Sequence, residues 1–377
     1  MIDPSEIPTP CFVLEEALLK RNLEILKMVR HKSEAKIICA LKAFSMYSSF
    51  PLANQYLNGT TASSLHEARL GYEEFGSEVH AYSPAYLPDE FNEILSYCNH
   101  ITFNSHQQWA FFKSKVQENG SVSPGLRINP EYSKVDVDLY NPAAPGSRLG
   151  IAPDLLQELP AGIKGLHFHT LFESSAEELE KTYLAVEKHF GHLFPSLEWL
   201  NMGGGHAISK SDYNLDLLIS LLKSIKEKYP NLEIILEPGS AVAWETGYLV
   251  SSVLDIVNNR GRQTAILDTS FAAHMPDCIE MPYKPKVRNA RDSIPGDNFV
   301  YTLGGLTCLA GDFIEGYTFE KPLQIGDKIT FLDMMHYTMV KTTTFNGVKH
   351  PNLGIWKENN EFTITKTFGY EDFKMRL

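Results

Sequence analysis

Four short segments of the 377-residue chain carry side chains that stand out from their surroundings. Lys42 places an ammonium at the end of the apolar run AKIICALKAF. His167 and His169 end GIKGLHFHT, where a period of two puts both imidazoles on one side of a strand. Gly203, Gly204 and Gly205 precede His206 in NMGGGHA, and Glu237 opens Glu237-Pro238-Gly239. Taken alone, each has a plain explanation. A strand lysine snorkels to water, a lone histidine is structural, a glycine run is a flexible turn, and Glu-Pro-Gly is an ordinary exit from a strand. Together they have a chemical use. A desolvated lysine has a lowered pKa and can form a Schiff base with an aldehyde. Backbone N–H groups bared by glycines can hold a phosphate. A carboxylate keeps a pyridine nitrogen protonated, which makes the ring an electron sink, and an imidazole can stack on the ring face. This describes a pyridoxal phosphate site with Lys42 at the aldehyde, His169 on the ring and Glu237 at its nitrogen.

Such a set requires several elements that end at one place. Apolar, β-leaning runs occur at Ala35–Phe44, Asn58–Ser64, Ser77–Ala85, His100–Ser105, Pro124–Asn129, Gly162–Thr170, Leu197–Gly205 and Glu233–Gly239. Helical spacing fills most of the gaps, at Leu65–Phe75, Pro88–Tyr97, Gln107–Gln117, Ser175–Phe190 and Tyr213–Tyr229. Eight strand–helix repeats predict an α/β chain closing into a (β/α)8 TIM barrel, whose chemistry belongs at the C-terminal ends of the strands. All four segments lie at such ends. Pro130 to Ala161, rich in Pro, Gly and Asn, reads as an insertion on the rim. Beyond Gly239 the rhythm changes to β-type stretches at Tyr248–Asn258, Gln263–Asp268, Asn298–Leu303, Lys328–Phe331, Tyr337–Thr344 and Glu361–Thr367. These predict a C-terminal all-β domain, a barrel or sandwich. Thr9–Leu14 has strand character outside the eight repeats. The expected division is therefore a barrel over 15–242 and a discontinuous β domain of 1–14 with 243–377.

Composition narrows the partners. With 34 Lys+Arg against 46 Asp+Glu, the net charge of −12 argues against nucleic acid and anionic membrane surfaces. No apolar run is long enough for a transmembrane helix, and the first residues lack the pattern of a signal peptide. Five scattered cysteines in no CxxC spacing suggest reduced thiols in a cytoplasm and give no support to a metal site.

ALKAF, HFHT, LNMGGGHA, LEPGSAV and GGLTCLAGD, in this order and spacing, resemble the fold-type III pyridoxal phosphate decarboxylases, which include ornithine, arginine and diaminopimelate decarboxylases. The likeness runs from TPCFVL to HYTMV. It implies Lys42 as the Schiff-base lysine, His169 as the stacking histidine, Gly203–Gly205 in the phosphate site and Glu237 at the pyridine nitrogen. It also implies that Cys308 and Asp312 belong to a segment inserted into the neighbouring subunit's site, with Cys308 acting in proton transfer and Asp312 near substrate. Tyr337 matches a tyrosine near the cofactor phosphate. The implied assembly is a head-to-tail homodimer with two shared sites.

Two departures matter. Ser240 stands where ornithine and diaminopimelate decarboxylases usually have Arg, and Thr170-Leu171-Phe172-Glu173 replaces small residues after His169. Both favour a branch acting on carboxylated polyamines, with decarboxylation to a triamine as the expected reaction. A long polyamine needs acidic partners. SFAAHMPDCIEMPYKP offers His274, Asp277 and Glu280, and Asp277 aligns approximately with an aspartate that holds the distal amine in ornithine decarboxylases. The rival readings are a decarboxylase of ornithine, arginine or diaminopimelate, a racemase, and a non-catalytic binding protein. A racemase would resemble one with Arg at the pyridine nitrogen. Binding-only relatives tend to lose the lysine or the cysteine segment, and this chain has both.

Overall fold

The strand β1 (Cys11–Glu15) leads into the long helix Glu16–Ser33, and eight strands then close a parallel barrel. These are β2 (Lys36–Ala40), β3 (Gly59–Ala62), β4 (Glu78–Tyr82), β5 (His100–Phe103), β6 (Ser123–Arg127), β7 (Gly165–His167), β8 (Trp199–Asn201) and β9 (Glu233–Leu236). The structure is a computed structural model that describes residues 4–134, 141–144, 146–280 and 282–377. Residues 135–140 and 145 of the expected rim insertion lie outside the described residues. The chain divides into two compact units, Lys20–Val242 and Met1–Leu19 with Ala243–Leu377.

Each of the eight sequence runs covers one barrel strand, with β6 starting one residue earlier at Ser123, and side-chain caps open several of the intervening helices. Ser105 Oγ accepts from Gln108 N at 3.2 Å to start His106–Asn119, and Gly120, at φ +68°, ends it. Ser175 and Asn214 cap Ala176–Phe190 and Leu215–Lys228 in the same way. In Ala176–Phe190, Ala176, Leu179, Tyr183, Val186 and Phe190 form one buried face, at roughly 1.5–3 kcal/mol for each large apolar side chain.

The barrel is filled from its N-terminal end upward. Lys36 bridges Glu78 at 2.7 Å and Glu233 at 3.1 Å, so three strand starts are joined by charge. Glu78, His80 and His100 have ligand-type atoms within 4.8 Å of one another, but Lys36 already neutralises Glu78 there. Above them Trp199 packs with Ile38 and Ile235. The indole fits because two neighbours are glycines: a Cβ on Gly125 or Gly165 would fall 2.2 or 2.0 Å from it. This end of the barrel holds the sheet together and leaves the other end for chemistry.

The second unit is a nine-stranded sheet. Its strands are β1, β10 (Gly247–Asn259), β11 (Arg262–Leu267), β12 (Ala290–Asp292), β13 (Val300–Gly304), β14 (Phe313–Phe319), β15 (Lys328–Leu332), β16 (Asn352–Trp356) and β17 (Phe362–Lys366). The path runs β12-β14-β13-β11-β10-β1-β16-β17, with β15 on β10. β1 pairs antiparallel with β10 and parallel with β16, which makes this unit discontinuous in sequence. Ile7, Cys11, Val13, Tyr248 and Val250 form a core covered by Trp356, Phe362 and Ile364.

Sequence reasoning erred in detail here. Tyr337–Thr344, rich in β-branched residues, is a series of turns: Tyr337 sits at φ +50°, and Lys341 N donates back to Tyr337 O at 2.8 Å. β12 is three residues long, β14 is interrupted by Gly316 at φ +80°, and β16 carries Gly354, whose Cβ would meet the Phe362 ring at 2.6 Å. None of these three shows a clean alternation. Among the described residues no helix is long and apolar enough to cross a membrane. All five cysteines are free thiols.

Candidate active site

The C-terminal ends of β2 and β9 are drawn together by a close backbone approach. Ala40 N donates to Pro238 O at 3.0 Å, and a Cβ on Gly239 would come within 2.6 Å of the Ala43 Cβ. Lys42, two residues past β2, and Glu237, one past β9, therefore stand at the same part of the rim. Lys42 reaches solvent, yet protein encloses it closely enough that loss of hydration lowers its pKa. Glu237 opposes that shift, Arg127 reinforces it and Glu67 opposes it.

His169 meets this lysine from the end of β7. Its Nε2 is 3.3 Å from Lys42 Nζ, and its Nδ1 lies 3.2 Å from Gly204 N and 3.1 Å from Gly204 O. The geometry serves both tautomers. With the proton on Nδ1 the ring donates to the Gly204 carbonyl, and Nε2 accepts from a Lys42 ammonium. With it on Nε2 the ring accepts from the Gly204 N–H and faces a neutral Lys42 amine. Burial lowers the His169 pKa far below its ordinary value, with Lys42 and Arg127 pushing the same way, so the imidazole is neutral in either arrangement.

Glu237 is gripped from two strands. Burial by itself would raise its pKa, but His167 Nε2 at 3.4 Å from Oε2 and Asn201 Nδ2 at 2.7 Å from Oε1 hold it well below the usual carboxylate range. The orientation of Asn201 is set by its other end, where Oδ1 accepts from Gly203 N at 2.9 Å. One amide thus links the glycine loop to the carboxylate.

Glycines at 203–205 are required by crowding. Cβ atoms there would meet Phe168 O at 2.4 Å, Glu237 O at 2.1 Å and Leu171 O at 2.0 Å, and Gly203 and Gly205 are at φ +66° and +87°. Two of the three N–H groups are engaged by Asn201 and His169, so Gly205 is the one of the three with no protein acceptor among the described residues. An amine whose pKa burial lowers, a fixed ionised carboxylate, an imidazole against the amine and a glycine donor together fit a pyridine aldehyde phosphate.

Three contributors escaped sequence reasoning. Arg127, the last residue of β6, is buried, donates to the His169 carbonyl at 2.9 Å, and lies 4.5 Å over the Tyr82 ring. It shows the signal that singled out Lys42, a lone charge ending an apolar strand. Asn201 stands two residues before Gly203, on the face that a period of two assigns to the cup. Glu67, whose N–H is capped by Ser64 Oγ at 3.2 Å, reaches back to accept from Ser63 N at 2.6 Å and feels the charge of Lys42.

The remaining candidates belong to the β unit. Asp277 and Glu280, one turn apart on a short helix, both bind the Lys341 ammonium. The Asp312 carboxylate accepts from Ser270 Oγ (2.9 Å), Phe271 N (2.7 Å), Ala272 N (3.0 Å), Thr307 N (3.1 Å) and Thr307 Oγ1 (2.6 Å). It therefore ties the 270s turn to the loop carrying Cys308, which is exposed and whose N–H donates to Asn346 Oδ1 at 2.9 Å. His274 is fully buried, and that burial lowers its pKa to about 4. Tyr337 occupies the left-handed turn described above.

Residues 12–335 match the family model described as pyridoxal-dependent decarboxylase, C-terminal sheet domain. A carboxyaminopropylagmatine decarboxylase of Synechocystis sp. is 50% identical over 374 residues, covering 99% of this chain and 96% of the relative. A carboxynorspermidine/carboxyspermidine decarboxylase of Campylobacter jejuni is 46% identical over 382 residues, covering 98% and 99%. The crystal structure of carboxynorspermidine decarboxylase complexed with norspermidine, from Campylobacter jejuni, superposes with a TM-score of 0.91 at 44% identity, covering 98% of this chain and 100% of that one. With an amine, an imidazole and an ionised carboxylate meeting at the rim of its barrel, the chain belongs to the pyridoxal-dependent decarboxylases.

Proposed function

We propose that this enzyme removes the carboxylate of carboxynorspermidine or carboxyspermidine, giving norspermidine or spermidine in polyamine biosynthesis. The observation that carries the reading is the placing of Lys42 and Glu237 on one rim, with His169 against the lysine, in a chain that matches such decarboxylases over nearly its whole length. Lys42 would hold pyridoxal phosphate through its aldehyde until the substrate's amine takes its place and frees the lysine, and the group would then supply an electron-withdrawing ring for the electron pair left when CO2 departs.

The protein's own groups do the rest. Lys42, with its lowered pKa, offers a neutral amine nearer to physiological pH than an exposed lysine does. Glu237, held ionised, retains a proton at the ring nitrogen. His169, neutral and fixed to Gly204, packs beside Lys42 without adding charge. As the C–CO2 bond breaks, the α-carbon needs one proton, and the Cys308 thiol supplies it from the loop anchored by Asp312. Cys308 serves the neighbouring subunit's site in a head-to-tail homodimer, and the enzyme works in the cytoplasm, where its free thiols stay reduced. Asp277 and Glu280, which already hold one ammonium at Lys341, are the acidic pair we assign to the distal ammonium groups of the triamine, while Asp312 braces the Cys308 loop and Tyr337 is assigned to the cofactor phosphate.

The relative at 50% identity favours a second reading, in which carboxyaminopropylagmatine is the substrate. Its terminal guanidinium offers a planar fork where the triamines offer an ammonium. Purified enzyme assayed for CO2 release separates the two. We expect the highest kcat/KM with a carboxylated triamine. A preference for carboxyaminopropylagmatine establishes the second reading, and equal turnover of ornithine, arginine or diaminopimelate rejects both.

A further inference from the structure

β7 ends on two imidazoles, and only His169 has a part in the steps above. His167 is 2% exposed, and neither of its ring nitrogens makes a hydrogen bond of ordinary geometry among the described residues. Burying an imidazole without partners is costly, so a chain that keeps one gains something specific from it. The polar atom nearest to hand is Glu237 Oε2, 3.4 Å from His167 Nε2. The opposite oxygen, Oε1, has Asn201 Nδ2 at 2.7 Å. On its flank His167 packs against the Tyr82 ring, with centroids 5.3 Å apart at 30°, and Arg127 lies over that same ring.

We propose that His167 is a positioning residue, holding Oε2 of Glu237 through an Nε2–H from β7 while Asn201 holds Oε1 from β8, so that the carboxylate keeps a single orientation toward the cofactor's ring nitrogen. The inference rests on the reading of Glu237 as the partner of that nitrogen. The charged and titratable groups around the carboxylate define what His167 can be. Lys42 beyond β2, His80 on β4, Arg127 on β6 and His169 beyond β7 all act on Glu237 or on His167. Burial lowers the His167 pKa, Glu237 opposes that shift, and Arg127 and Lys42 reinforce it, so the imidazole is a neutral donor and not the counter-charge of Glu237. A neutral donor can fix the direction of a carboxylate without cancelling the charge that the pyridine nitrogen needs. It can do so only if its own ring cannot turn, and the Tyr82–Arg127 stack is what stops it turning. A leucine of similar bulk would fill the space and leave Oε2 without a donor.

The test titrates apoprotein with pyridoxal phosphate and records both the dissociation constant and the absorbance band of the bound cofactor, which responds to the proton on its ring nitrogen. The variants are His167→Leu, His167→Gln and Glu237→Gln. His167→Leu is expected to weaken binding by about tenfold or more, the scale of one hydrogen bond to a charged group, and to move the band toward that of Glu237→Gln. His167→Gln, whose amide N–H can reach the Nε2 position, is expected to recover most of both. If His167→Leu does not fold, His167→Asn, whose amide stops short of that position, replaces it. Binding within twofold of wild type in the donor-less variant, or a Gln variant no better than it, overturns the inference. Glu237→Gln separates the levels. If it matches wild type in affinity and band, the reading of Glu237 itself fails. If it is impaired while the donor-less His167 variant is not, only the role of His167 falls.

Discussion

Gly204→Ala is the smallest change that should disable the site. Gly204 does not occupy the left-handed region, so alanine is conformationally allowed there and the penalty is steric. The new Cβ would lie 2.1 Å from Glu237 O and 2.9 Å from its carbonyl carbon, against an ordinary contact of at least 3.4 Å. The missing distance is about 1.3 Å, and both partners are backbone, so no side chain can swing aside. The loop must lift off the end of β9. Doing so pulls on the Glu237 N to Gly203 O hydrogen bond of 2.7 Å and on the Gly204 N to His169 Nδ1 contact of 3.2 Å. Overpacking of this kind costs roughly 1–3 kcal/mol of stability. A displacement of about 1 Å at reacting groups costs on the order of 100-fold in rate. The assay is kcat/KM for the carboxylated triamine at saturating cofactor, alongside urea unfolding. Gly369→Ala, which meets nothing within 4 Å, is the control and should be neutral. A Gly204→Ala enzyme within threefold of wild type would show that the loop does not fix Glu237 and His169, and the account of the site given above would be wrong.

Other outcomes follow from the same geometry. Lys42→Ala should lose the long-wavelength absorbance of covalently held cofactor and fall to background CO2 release, and retention of both would refute its role. Asp312→Ala strands three backbone N–H groups and two hydroxyls, so unfolding of the β unit should become easier by about 3 kcal/mol or more, read by chemical denaturation. Burial lowers His100 to about 3 and His206 and His274 to about 4, with His80 adding to the shift at His100 and His350 to that at His274. Above about pH 6.5 these rings are neutral in folded and unfolded chains alike. As pH falls from there toward 4 the unfolded chain takes up protons that the native one refuses, and stability drops by about 1.4 kcal/mol per pH unit for each histidine. Thermal midpoints between pH 7 and 4.5 should show that slope, and His206→Asn should remove about one proton's share. An unchanged slope in the variant would count against a neutral buried His206.

What the sequence made legible was set by periodicity. Eight apolar runs and their capped helices are local signals, and each is backed by its own hydrogen-bond ladder, so the barrel could be read strand by strand. Lys42, His169 and Glu237 stood out because a charged or titratable group at the end of an apolar strand needs a reason. Arg127 carried the same signal and was passed over. The contacts that make the site work were not legible, because they join strands distant in sequence: Asn201 to Glu237, Gly204 to His169, Pro238 to Ala40. In the β unit the reading failed where turns replaced pleats. Tyr337–Thr344 has strand composition, but its backbone starts in the left-handed region, and no propensity argument sees that. Asp312 looked like a substrate ligand in sequence, and only the hydrogen bonds reveal how many donors already claim it.

The place of β1 has a consequence for how the protein is made. Cys11 pairs with Val250 on one side and Asn352 on the other, so its second partner is 341 residues downstream. At ribosomal speeds of about 5–20 residues per second, this strand waits roughly 20–70 s with at least one edge open. The barrel, whose pairings all lie between β2 and β9, can close during that interval. This strand, made before the barrel, can therefore be sealed after it, and a bulky fusion placed directly ahead of Cys11 would burden that late pairing while leaving the pairings of the barrel intact.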